Sequence, residues 1–195
     1  MIADLAGEIT ADSRLIEAGT RSALVTFGQM LPRGSLVLES QKFIDSSVAA
    51  RTCLQQLRCD GVEVVLSLSG RISGTFTLAL NNRAAQQLVT ALAGEGATTP
   101  IFNEMARSAL KEAGNVVASA FLGAIETMCG SGGLPGLPAL HVAPCHDECS
   151  AGAEDNFMYA LPVMLVVGTS EGRAAKGGIF INLHNESVDC PSSAP

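Results

Sequence analysis

Apolar residues recur at helical spacing in three stretches: Ala11 to about Met30, Asn81 to Leu92, and Phe102 to Met128. This periodicity predicts three helices, the first ended by Pro32-Arg33-Gly34. Ser46 to Leu57 is ambiguous and reads as a short helix at most. Ser35 to Ser40, Val62 to Ser69, Thr75 to Leu80, Ala139 to Ala143, Phe157 to Val167 and Gly178 to Leu183 carry the β-branched and alternating patterns of strands. Gly70-Arg71-Ile72-Ser73-Gly74 is a turn between two of them. Cys129 to Pro138 reads as a Gly/Pro-rich loop, Cys145 to Glu154 as a polar mobile loop, and 188–195 as a frayed tail.

The order helix, strand, paired strands occurs twice, and Gly178-Ile179-Phe180-Ile181-Asn182-Leu183 echoes Gly74 to Leu80. The pattern predicts an α+β fold with a pseudo-two-fold axis. It would have a mostly antiparallel sheet and two long equivalent helices. Residues 1–187 form one domain of two similar halves, about 1–95 and 96–187, divided at the Gly/Ala/Thr-rich stretch from Gly94 to Pro100. A chain of 195 residues with 47% apolar content can bury a substantial core, and with Trp absent that core is mainly aliphatic. The formal charge of -7 argues against nucleic-acid and anionic-membrane partners, which require basic surfaces.

No stretch of the chain supplies the roughly 20 apolar residues that a bilayer span needs. Phe157 to Val167 is the longest apolar run, and Pro162 interrupts it. Met1-Ile2-Ala3-Asp4 does not open a signal peptide, so a cytoplasmic location is expected, with the six cysteines as reduced thiols.

The chemistry resides in a repeated frame. Ser13-Arg14-Leu15-Ile16-Glu17-Ala18-Gly19-Thr20 recurs as Ser108-Ala109-Leu110-Lys111-Glu112-Ala113-Gly114-Asn115. In a helix, taking Ser108 as zero, Glu112 falls near 40°, Asn115 near -20° and Ser119 near 20°, with Leu110, Val117 and Phe121 at about 180–220°. A carboxylate, which only accepts, thus lies beside a carboxamide, which both donates and accepts. Any amphipathic helix has such a polar stripe, so spacing alone leaves a plain solvated face open. Gly114 costs about 1 kcal/mol relative to Ala inside a helix. Two explanations are equal for it: close approach of another surface to the backbone, or helix–sheet packing shared with its counterpart Gly19.

These residues resemble the CheC/CheX/FliY family of chemotaxis phosphatases. The family signature is Asp or Ser, three residues, Glu, two residues, Asn, twenty-two residues and Pro, and here it reads Ser108, Glu112, Asn115 and Pro138. The Gly70 to Gly74 turn and the Leu137-Pro138-Ala139 segment extend the similarity. CheC-like members carry two such sites. Here the first copy keeps Ser13 and Glu17 but has Thr20 in place of Asn and Phe43 in place of Pro, which leaves one working site. The pattern fits CheC-like and CheX-like subgroups alike.

The resemblance implies a protein phosphatase that hydrolyses the aspartyl phosphate of a CheY-like response regulator in chemotaxis or two-component signalling. It implies no cofactor of the chain's own, and Mg²⁺ in the partner. Asn115 would orient the attacking water and Glu112 would pair with a lysine of the regulator. Glu112 suits the role of general base poorly, because an exposed carboxylate is a weak base. Ser108 and Gly114 would support the surface, and Pro138 would shape the adjoining loop. The other reading is a non-catalytic binding module for a CheD-like deamidase, a flagellar switch component or a receiver.

His141, Cys145, His146 and Cys149 have ligand types that zinc accepts, but no second Cys pair follows, so no metal site is expected. A nucleophile elbow is absent, and Gly130-Ser131-Gly132-Gly133 lacks a P-loop lysine.

Overall fold

Two helices that repeat one frame pack against each other over one face of a single antiparallel sheet. The computed structural model describes residues 11–31, 36–39, 43–59, 61–70, 72–93, 103–143, 157–166 and 175–184. The elements are α1 (Ala11–Gln29), β1 (Leu36–Glu39), α2 (Ser47–Arg58), β2 (Gly61–Gly70), β3 (Gly74–Asn81), α3 (Asn82–Ala93), α4 (Glu104–Cys129), β4 (Gly133–Pro135), β5 (Ala139–Val142), β6 (Phe157–Val166) and β7 (Ala175–Leu183). The strand order is β1-β6-β7-β3-β2-β4, with β5 also on β2.

This order is the repeat made visible. At the centre β3 runs antiparallel to β7, with Gly74 opposite Leu183 and Leu80 opposite Gly177. On one side β4 and β5 follow one another along β2. On the other, β1 and an isolated bridge at Ile44 follow one another along β6. The helices α2 and α3, in contrast, belong to the first half alone among the described residues.

Strand alternation divides the sheet into two faces. Val62, Val64, Leu66 and Leu68 of β2, Phe76, Leu78 and Leu80 of β3, and Ile179, Ile181 and Leu183 of β7 join the main core with residues of α1, α3 and α4. The opposite face carries a smaller cluster, in which Ala50, Leu54 and Leu57 of α2 meet Ala79, Ala160 and Phe180. That burial explains why the ambiguous stretch becomes a helix. Ser46 caps its start by accepting from the Ala49 N–H at 3.5 Å, and a three-residue apolar stripe holds it on the sheet. At its end, Arg58 meets the buried Glu63 carboxylate at 2.5 Å.

The Gly/Pro-rich stretch is not wholly loop. Gly133–Pro135 pairs with Leu68–Gly70, which makes it strand β4. Gly94 to Pro100, Cys145 to Glu154 and 188–195 lie outside the described residues. Among the described residues, no helix is long and apolar enough to cross a membrane.

Candidate functional site

The rotation of α4 is set by its buried side. Asn103 caps the first turn by accepting from the Ala106 N–H at 2.7 Å, and Gly130 ends the helix in the left-handed conformation at φ 67°. Leu110, Val117 and Phe121 are fully buried, and the Phe121 ring lies 5.8 Å from that of Phe76. Fully burying one large apolar side chain is worth about 1.5–3 kcal/mol. Turning the helix to hide its polar stripe would forfeit several such contributions.

Gly114 belongs to the buried side. A Cβ built there would stand 2.5 Å from Val64 Cγ1 and 3.6 Å from Leu66 Cδ1. Helix–sheet packing therefore explains Gly114, and approach by an outside surface does not. Its counterpart Gly19 differs: a Cβ there would meet Ile125 and Phe121 of α4 at 2.9 Å, so that glycine serves helix–helix packing.

With the turn pressed onto β2 in this way, Ser108 and Glu112 are exposed and Asn115 is half-buried. Among the described residues, neither Glu112 nor Asn115 has a hydrogen-bond or ion-pair partner. They offer an anionic acceptor and a two-way amide one turn apart.

Pro138 reaches the same level of the fold through a break in register. Along β4, Leu68 faces Pro135 and the Gly136 N–H donates to the Ser67 carbonyl at 2.7 Å. Along β5, Val65 faces Ala139. Leu66 therefore faces two residues, Leu137 and Pro138, which is a β-bulge. A proline is tolerated at a bulge because no ladder hydrogen bond is asked of its nitrogen. Leu66 and Val64 also lie beneath Gly114, so β2 links the bulge to the turn carrying Glu112 and Asn115.

The first copy has the same spacing and a different environment. Ser13 and Thr20 are buried, at 7% and 0% exposure. The Thr20 hydroxyl donates to the Ile16 carbonyl at 2.6 Å, so it is turned into its own helix rather than merely falling short of a site. Glu17 accepts from Arg21 at 2.7 and 2.9 Å, whereas the residue four positions after Glu112 is Val116. Phe43, at the position corresponding to Pro138, stacks on Tyr159 with centroids 5.8 Å apart. Apolar packing thus occupies the first half where the second presents open polar groups. The Glu17–Arg21 pairing was available in sequence as an i, i+4 pair. The bulge beside Pro138 had no such signal.

Of the zinc-type ligands, only His141 lies within the described residues, exposed on β5. Cys145, His146 and Cys149 fall outside them. No cluster of three or more metal-ligating side chains occurs among the described residues.

Residues 62–137 match the family model of chemotaxis phosphatase CheX. No curated protein matches in sequence. Among solved structures, a chain of the CheX–CheY–BeF3–Mg+2 complex from Borrelia burgdorferi is similar at 18% identity, with 89% of this chain and 97% of that chain covered and a TM-score of 0.58. FliY of Thermotoga maritima is similar at 12% identity, covering 92% and 93%, with a TM-score of 0.61. The FliM middle domain of H. pylori is similar at 13% identity, covering 89% and 90%, with a TM-score of 0.60.

The architecture is thus the α+β fold of CheX, FliY and FliM structures. The family match over β2 to the bulge is consistent with the CheC/CheX/FliY resemblance, and the solved structures share its fold.

Proposed function

We propose that this chain is a cytoplasmic phosphatase for the aspartyl phosphate of a CheY-like response regulator, working through Glu112 and Asn115. The observation that carries this reading is the contrast between the two copies of one frame. In α1 the carboxylate is paired with Arg21 and the neighbouring hydroxyl is internal; in α4 the exposed carboxylate and the half-buried amide have no partner among the described residues.

An acyl phosphate on a receiver brings its own Mg²⁺, so the phosphatase need supply neither metal nor covalent nucleophile. Phosphoryl transfer is helped mainly by positioning and electrostatics. The Asn115 amide can hold a water by donating to and accepting from it, and so direct it in line with the scissile bond. The Glu112 carboxylate suits a charge-assisted bond to a lysine of the receiver, fixing α4 over the phosphate. Ser108 widens the contact surface one turn earlier. Pro138 assigns the bulge its shape and takes no part in the chemistry.

The likeness to a FliM middle domain favours a second reading, a binding module that signals by occupancy. Its partner would be a flagellar switch component, a CheD-like deamidase or a receiver. A pulldown combined with a dephosphorylation assay separates the two readings. Faster phosphate loss from a bound receiver supports the phosphatase. Binding without faster loss selects the module.

A further inference from the structure

The bulge that positions Pro138 also turns out Leu137, which is 94% exposed. A single exposed leucine is ordinary on a protein surface. This one differs in how firmly its backbone is held. On its N-terminal side the Gly136 N–H is bonded to the Ser67 carbonyl, and a Cβ on Gly136 would collide with Ser67 Oγ. On its C-terminal side Pro138 fixes φ, and the ladder resumes at once with Ala139 opposite Val65. The extra residue is thus locked between two paired segments.

Its side of the sheet is also defined. Leu137 and Pro138 share Leu66 as their opposite number, and Leu66 belongs to the face covered by α4. By register Leu137 therefore sits at the sheet edge opposite a residue of the face that α4 covers, the helix that carries Glu112 and Asn115. An apolar side chain on a firmly held backbone, near a carboxylate and an amide that have no partner among the described residues, suits an interface anchor, because little backbone entropy is lost when it is covered.

We propose that Leu137 is a specificity-determining docking residue, which inserts into an apolar patch next to the phosphoaspartate of the receiver. The inference rests on the functional reading above and adds an apolar anchor to its polar pair. Leu137 touches no reacting atom, so it acts on the encounter and not on the chemical step.

The test uses the full chain and Leu137→Asp and Leu137→Met variants. Each is measured for affinity to a CheY-like receiver loaded with beryllofluoride and Mg²⁺, and for phosphate release from the same receiver when phosphorylated. Leu137→Asp is expected to weaken binding and raise KM by roughly tenfold or more. Its kcat should stay within about twofold, and Leu137→Met should keep both constants within about twofold. Unchanged affinity and KM in Leu137→Asp would overturn the proposal. So would a change confined to the chain's own dimerisation in sedimentation, which would assign the residue to contact with a second copy. A wild-type chain that neither binds nor dephosphorylates any receiver would instead remove the functional reading, and this inference with it.

Discussion

Gly114 rests directly on Val64: a methyl group added to the glycine would stand 2.5 Å from Val64 Cγ1 and 2.9 Å from its Cβ. That contact brings α4 down onto β2 at the turn carrying Glu112 and Asn115. It also puts the pair level with the bulge at Leu137 and Pro138. The candidate site is in this sense a product of packing, with the polar groups displayed by what lies beneath them.

Gly114→Ala should therefore destabilise the fold, although alanine is the better helix former. Overpacking a filled core costs about 1–3 kcal/mol, against which the helix gains about 1 kcal/mol. Thermal unfolding should shift down by up to about 8 °C, given the size of the domain. Combining it with Val64→Ala should give less loss than the two single changes added together, since each opens or fills the same space. A Gly114→Ala protein as stable as wild type would show that the contact has slack.

Glu112→Ala should weaken receiver binding, and Glu112→Lys should weaken it further by placing like charge against the expected lysine. An exposed carboxylate whose partner comes from another molecule contributes through a charge-assisted bond, and its loss costs roughly tenfold or more in affinity. The effect should shrink as salt rises. Calorimetric titration with a beryllofluoride-loaded receiver at two ionic strengths reads both trends. Equal affinity in wild type and Glu112→Lys would remove this residue from the interface.

Thr20→Asn should not create a second site, even though it restores the residue type that the frame lacks. Thr20 is fully buried, its hydroxyl is spent on the Ile16 carbonyl, and Phe43, at the position corresponding to Pro138, stacks on Tyr159 of β6. A larger amide there has no route to a partner and should lower stability by about 1–3 kcal/mol. Placed in an Asn115→Ala background, Thr20→Asn should leave phosphate release at the background rate. Recovery of activity would mean that α1 opens.

Much of this fold is legible in the chain because the two long helices and central strands have clean periods. The spacing of Leu110, Val117 and Phe121 sets the buried side of α4, and Thr75 to Leu80 alternates as a strand. Ser47–Arg58 resists such reading because only three of its residues are buried, and tertiary contact with Ala79, Ala160 and Phe180 decides its state. Gly133–Pro135 resists it because three residues carry no period at all.

The polar pair is legible as a pair, since Glu112 and Asn115 share a helical face at any such spacing. What separates it from Glu17 and Thr20 is not legible. The two frames have equal spacing, and only packing distinguishes an internal hydroxyl from a half-buried amide. Nor does the order Pro-Gly-Leu-Pro announce that Leu66 will face two residues. That follows from pairing with β2, a relationship between segments far apart in the chain.

The central claim is that the amide of Asn115 acts on another protein's phosphate. Phosphate release from a phosphorylated CheY-like receiver, with wild-type chain and with Asn115→Ala, tests it most directly. The account predicts that wild type accelerates release while Asn115→Ala, unchanged in circular dichroism and melting, falls to the receiver's own rate. Full acceleration by a folded Asn115→Ala protein would contradict it.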